Sequence, residues 1–247
     1  MEQKKIALLN TFFNDLTCLE AVDVIDDLIR KKQKAYVVEV NTDVAVKIED
    51  DPYLKQITDE ADLVLADGKP LIWISKLYGR PLREKVSGSD LTLALCRRAA
   101  EKGYRVFLLG GAEGVGEQAR AKLEERFPGL CVAGTYAPPL GFEKSEAGLA
   151  HTREVVSAAR PDLVIVCFGC PKQEKWIYEN YRETGGSVFL CAGGTVNFLA
   201  GQVRRAPEWM SNHGLEWFFR FLMEPRRLFK RYFIDDMRII RLFLKYR

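Results

Sequence analysis

The segment Arg105–Phe127, RVFLLGGAEGVGEQARAKLEERF, decides the fold class. An apolar strand-like run, Arg105–Leu109, enters a glycine loop, Gly110–Gly116, and leaves it as a helix-like stretch, Glu117–Phe127. That is the first half of a βαβ unit. The same alternation recurs on both sides. Upstream, Thr17 and Glu20 make a capping box that opens a helix to about Lys32. Ala35–Val40 reads as a strand, with a helical stretch after Asn41. Asp62–Ala66 is a short buried strand ending at Asp67-Gly68, and helices follow over Pro70–Tyr78 and from Ser89-Asp90 to about Lys102. Downstream come a strand at Cys131–Gly134, a helix near Glu146–Ala159, a strand at Asp162–Phe168, a helix from about Gln173 and a strand at Ser187–Cys191. Strands separated by helices of this length imply right-handed crossovers, hence an α/β fold with a mainly parallel sheet and flanking helices.

Composition bounds the reading further. With 47% hydrophobic and 29% charged residues in 247, the chain is globular rather than disordered. The longest apolar run, about Leu163–Cys170, is far short of the roughly 18 residues of a membrane span. Met1–Asn14 carries a short apolar patch interrupted by Asn10 and Asn14, without a small-residue cleavage site, so no signal peptide is read there. The six cysteines then suggest reduced thiols inside a cell.

Charge is unevenly placed. From Arg204 to Arg247 there are eleven Lys/Arg against five Asp/Glu, and ten of the 27 aromatic residues. The rest of the chain carries 26 basic and 29 acidic residues, a net of −3. This divides the chain into a core, 1–203, and a basic, aromatic-rich appendage, 204–247, that reads as helical throughout and broken at Pro225. Arg220, Arg227 and Arg231 lie at i, i+7 and i+11, sharing one face if the helix continues past that proline. Such a stretch suits an anionic membrane surface. Packing against the core and a nucleic-acid patch are the competing readings.

In an open parallel sheet, ligands bind beyond the carboxyl ends of the strands. Those ends carry Asn41-Thr42-Asp43, Asp67-Gly68, Gly110-Gly111, Gly169–Gln173 and Gly193–Asn197. Each motif has a plain alternative. The Gly110–Gly116 loop would let backbone N–H groups approach a diphosphate, yet its spacing departs from the dinucleotide fingerprint, and a tight strand–helix turn explains it equally well. Asp67 would serve as a general base on a sugar hydroxyl, although its own residues favour a turn or helix cap. Lys172 and Gln173 would point at a phosphate or sugar, or simply open a solvated helix. Cys167 and Cys170 form a C-x-x-C whose first cysteine falls within a strand, so they read as structural thiols rather than a redox pair. His151 and His213, the two histidines, read as surface or packing residues. No D-x-D triplet, P-loop or G-x-S-x-G elbow is present.

Taken in order, the segments Asn41–Ala45, Ala66-Asp67-Gly68, Glu84–Leu91 (EKVSGSDL), Leu108–Ala119, Gly169–Trp176 (GCPKQEKW), Gly193–Gly201 (GGTVNFLAG) and Arg204–Pro225 resemble the WecG/TagA/CpsF family of bacterial glycosyltransferases, from about Ala35 to about Arg231. The resemblance implies a Rossmann-like core that moves a sugar, with inversion, from a UDP-sugar to a polyprenyl-diphosphate-linked sugar in surface-polysaccharide assembly. It implies no metal and no cofactor, and a C-terminal appendage that sits on the cytoplasmic face of the membrane as a peripheral anchor and completes the site with arginines. Carried over by position, Asp67 matches the catalytic base, Gln173 a pocket glutamine, and Arg220 and Arg227 the appendage arginines, with Arg231 a third. Asn41, Thr42, Lys85, Gly110, Gly111, Lys172, Gly193, Gly194 and Asn197 form the substrate-binding set. Four residues depart from the family pattern. Glu39-Val40 replaces Thr-Pro, Lys85 replaces an arginine and Asn197 an aspartate. They bear on the donor, which is UDP-N-acetylmannosamine, its uronic acid or UDP-glucose. A nicotinamide-dependent oxidoreductase and a non-catalytic nucleotide-sugar-binding membrane adaptor are the rival readings. No nucleic acid partner is expected, and association of copies is left open.

Overall fold

The computed structural model describes residues 4–204 and 206–247, apart from the side chains of Glu208, Asn212 and Arg227. The chain opens with an antiparallel hairpin of β1 (Lys5–Leu8) and β2 (Thr11–Asn14), which sequence patterning does not reveal. Its strands are only four residues long, and the asparagines that interrupt the apolar patch have tertiary partners. Asn14 accepts from the Val64 backbone N–H at 2.8 Å, and Asn10 donates to the Ala45 carbonyl at 2.9 Å. Helix α1 (Cys18–Arg30) follows, opened by the anticipated box: Glu20 N–H donates to Thr17 Oγ1 and Thr17 N–H to the Glu20 carboxylate.

The remaining core elements are β3 (Ala35–Val40), α2 (Thr42–Asp50), α3 (Pro52–Asp59), β4 (Leu63–Ala66), α4 (Lys69–Leu77), α5 (Gly88–Lys102), β5 (Arg105–Gly110), α6 (Val115–Arg126), β6 (Cys131–Tyr136), α7 (Glu146–Ala159), β7 (Leu163–Cys167), α8 (Lys172–Asn180), β8 (Val188–Cys191) and α9 (Thr195–Leu199). The six strands β3–β8 form one sheet in the order β4-β3-β8-β7-β5-β6, every pairing parallel. Alternating residues divide the interior in two. Val38, Val40, Val64 and Ala66 pack with α2, α3, α4, α7 and α8. Val37, Leu63, Leu65 and Leu108 pack with α1, α5, α6 and α9.

This division fixes where a ligand belongs. Neighbouring strands β3 and β8 send their following helices, α2 and α9, to opposite faces. The resulting crevice at their carboxyl ends is a topological switch point.

The appendage comprises α10 (Glu208–Asn212), α11 (Glu216–Met223), α12 (Pro225–Lys230), a π-helical turn (Arg231–Asp235), a 3-10 turn (Asp236–Arg238) and α13 (Ile239–Lys245). It is not one helix interrupted once. Glu224 leaves helical geometry (φ −134°, ψ 57°) and Pro225 starts α12, where its missing N–H costs nothing. The i, i+7, i+11 alignment of Arg220, Arg227 and Arg231 therefore does not hold.

Part of the appendage is packed on the core. Leu242 and Leu228 are buried, and Phe243 stacks on Tyr78 at 5.2 Å between ring centroids. Arg238 holds both carboxylate oxygens of Asp50 at 2.6 Å, and Lys245 pairs with Glu49. Some of the basic excess is thus spent on α2. No helix among the described residues is long and apolar enough to cross a membrane.

Candidate active site

Two adjoining cavities occupy the switch point. The inner one lies against the sheet, lined by Glu39, Asn41 and Asp67 from the β3 and β4 ends, Ser87–Ser89 at the start of α5, Gln173 of α8 and Gly193–Thr195 after β8. The outer one lies between α4 and the appendage, lined by Thr42, Gly68, Lys69, Pro70 and Lys85 on one side and Trp217, Tyr232, Phe233, Met237 and Ile239 on the other. Asn41, Asp43, Asp67, Glu216, Arg220 and Arg231 border both.

Local structure explains each placement. Asn41 is the N-cap of α2, its Oδ1 accepting from Val44 N–H at 3.1 Å, and its side chain also hydrogen-bonds Asp67. Asp67 follows β4 directly, and its backbone N–H donates to Val40 O at 2.8 Å. It does not cap α4, contrary to what its neighbours in sequence favour. The N-cap is Gly68, with no side-chain cap, so the Asp67 carboxylate is left to the cavity.

Gln173 is the buried brace of the inner wall. Its Oε1 accepts from Gly169 N–H at 3.2 Å and from Gly193 N–H at 3.0 Å, and its Nε2 donates to Glu174 at 2.9 Å. It thereby ties the loop after β7 to the loop after β8. The solvated-helix-start alternative fails for Gln173 and Glu174, which are buried. Lys172 borders neither cavity and pairs instead with Glu143 at 3.0 Å.

Three further residues of the anticipated substrate set stand apart. Gly110 and Gly111 border neither cavity. A Cβ on Gly110 would lie 2.6 Å from Cys167 O, and one on Gly111 2.8 Å from Val196 Cγ1, so this loop is glycine because it packs closely. Asn197 also lies outside both, its backbone closing the end of α9 through Gln202 and Val203 N–H. The Arg227 side chain lies outside the described residues. Cys167 sits in β7, and its burial pushes the thiol up to about 12, which suits a packing role.

The appendage brings cations to the junction. Arg220 stands over the Phe198 ring at 5.2 Å. Arg231 approaches Asp43 at 3.5 Å. Glu216, which the sequence did not single out, accepts from Lys85 Nζ at 3.1 Å across the outer cavity. Glu39, marked by the sequence only as a departure bearing on the donor, is also a lone acid in an otherwise apolar central strand.

Comparison with known proteins places this architecture. The model of the "Glycosyl transferase WecG/TagA/CpsF family" matches residues 6–247. The chain belongs to this family. A relative from Bacillus spizizenii, named N-acetylglucosaminyldiphosphoundecaprenol N-acetyl-beta-D-mannosaminyltransferase, is 30% identical over 227 residues, covering 92% of this chain and 86% of its own. One of the same name from Bacillus subtilis is 31% identical over 201 residues, covering 81% and 75%. Family membership decides for glycosyl transfer over the oxidoreductase and adaptor readings.

The electrostatics of this glycosyltransferase centre on Asp67. Burial, above all, and Glu216 raise its carboxyl to about 6, against the opposing pull of Lys85, Arg220 and the Asn41 hydrogen bond. A carboxylate near 6 is a stronger base than an exposed aspartate and is still ionised at neutral pH. Among the described residues, no group of three or more His, Cys, Asp or Glu side chains is arranged to hold a metal ion.

Proposed function

We propose that this glycosyltransferase moves a sugar from a UDP-sugar to a polyprenyl-diphosphate-linked N-acetylglucosamine, with inversion and without a metal, at the cytoplasmic face of a bacterial membrane. One observation carries the reading: Asp67 borders both the polar inner cavity and the apolar-walled outer one. The donor occupies the inner cavity and the lipid-linked acceptor the outer. Asp67 takes the proton of the acceptor hydroxyl as its oxygen attacks the anomeric carbon. The bond to the diphosphate breaks on the opposite side of the ring, and UDP departs with the negative charge. Arg220, Lys85 and Arg231 lie where they can offset that charge, with Gly194 on the cavity wall beside them.

The acceptor assignment draws on the relatives' names and on the outer wall. Trp217, Phe233 and Met237 line that cavity while remaining 41%, 45% and 52% exposed. With Leu222, Phe229, Ile234 and Ile240 they supply apolar surface among arginines, a form suited to peripheral docking on anionic lipid. The segment 204–247 acts in this reading as a membrane-facing unit, and neither nucleic acid nor a second copy is required. UDP-N-acetylmannosamine is the first donor to test, since both relatives carry mannosaminyltransferase names. The test is UDP release from a panel of UDP-sugars, with and without a polyprenyl-diphosphate-linked N-acetylglucosamine, in EDTA. Acceptor-dependent release from one donor supports the reading, and release that stops in EDTA refutes metal independence.

A further inference from the structure

We propose that Glu39 contacts the donor sugar, hydrogen-bonding a hexose hydroxyl at the floor of the inner cavity. The inference rests on the donor assignment above and deepens it. Glu39 is the penultimate residue of β3, a strand buried along its whole length, and it borders the cavity beside Asn41 and Asp67. Its side chain is more than nine-tenths buried, and its Oε1 is sealed from solvent with no hydrogen-bond partner. An unpartnered carboxyl oxygen in a side chain that borders a cavity is satisfied when the carboxyl group, whose terminal torsion is soft, turns toward whatever fills the cavity.

The helix facing it is shaped around this carboxyl. A Cβ on Gly88, the first residue of α5, would lie 2.2 Å from Glu39 Oε2. Nothing larger than glycine fits at that position while Glu39 holds its rotamer. The neighbouring charges are acids: Asp67 beyond β4, Asp90 on α5 and Glu174 on α8. The thiols of Cys18, Cys167 and Cys191 also face its field. No described cation pairs with it, so burial and these acids keep it protonated well above the ordinary range.

An uncharged carboxyl group both donates and accepts, as a sugar hydroxyl does. The cations Lys85, Arg220 and Arg231 stand toward the junction, where they suit the diphosphate. The sugar then falls against the neutral floor.

The experiment compares Glu39→Gln and Glu39→Ala with wild type in the full chain. Steady-state kinetics use UDP-N-acetylmannosamine and the lipid-linked acceptor, and calorimetry compares UDP-N-acetylmannosamine with UDP. Glu39→Ala is expected to raise the donor KM about tenfold or more, while kcat, acceptor KM and UDP affinity stay near wild type. Glu39→Gln, isosteric and permanently neutral, is expected to stay within about threefold of wild type. Raising the pH should weaken donor binding by wild type as Glu39 loses its proton, and should spare Glu39→Gln. An unchanged donor KM in Glu39→Ala overturns the proposal, as does a loss confined to kcat, and so does a Glu39→Gln as impaired as Glu39→Ala. If Glu39→Ala fails to fold, Glu39→Gln and the pH series decide alone. Failure of wild type to release UDP from any donor overturns the transferase reading instead, and UDP-sugar against UDP calorimetry then still reads Glu39.

Discussion

The inner and outer cavities share Asp67 and Arg220 but are built in opposite ways. The inner wall is strand ends and helix starts, held by backbone and buried bonds such as those from Gly169 and Gly193 to Gln173. The outer wall is side chains on short appendage helices, many half-exposed, joined to the core by surface ion pairs, the buried Leu242 and the stack of Phe243 on Tyr78. Leaving-group chemistry needs donors fixed in advance, because reorganising them costs the rate it should supply. A lipid-linked acceptor needs an open apolar flank instead. Under the proposed function, the difference teaches that rigidity is placed where bonds change and adaptability on the flank assigned to the lipid-linked acceptor.

The sharpest way to break the comparison is Asp67→Asn, which alters a single group among the six residues the cavities share. Turnover should fall by about 10²–10⁴-fold, the usual value of a positioned base, with UDP affinity by calorimetry nearly unchanged. Near-normal turnover would move the base elsewhere and separate the two cavities functionally.

How far these features were legible follows from the range of the interactions. The six sheet strands were readable because each is an apolar run bounded by glycine or a capping residue, a local signal. The β1–β2 hairpin was not, since Asn14 matters through a bond to Val64, fifty residues away in the chain. Asp67 was nameable by resemblance, but its own neighbours argued for a cap, and only the placement of Gly68 as N-cap frees it. The packing reason for glycine at Gly110 and Gly111 was out of reach in the same way: the atoms that demand it belong to Cys167 and Val196. Arg231 reached the cavities by a path the helical wheel did not give, through the break at Pro225.

A smaller effect should separate the outer wall from the inner. Phe218 and Phe229 are 40% and 55% exposed and border neither cavity, so replacing both by aspartate should leave the core folded. Co-sedimentation with anionic vesicles should drop about tenfold or more, with a matching rise in KM for a vesicle-borne acceptor. Activity on a short-chain, water-soluble acceptor should be nearly spared. Equal loss on both acceptors would mean that these rings support the site rather than the lipid contact.

The smallest effect tests how the two walls meet electrically. The base must be ionised, so kcat/KM should rise with pH through about 6 and fall about tenfold per unit below it, as one proton is taken up. Lys85 lowers the Asp67 carboxyl and Glu216 raises it. Lys85→Met should therefore move the acid limb to higher pH, and Glu216→Gln should move it to lower pH. Because Lys85 and Glu216 contact each other at 3.1 Å, each single change also alters the other's charge balance. The double variant should return the limb toward its wild-type position, and the departure from additivity measures their coupling. A limb that ignores both substitutions would place the titrating base out of reach of the appendage, and the junction at Asp67 would then join the cavities in space but not in charge.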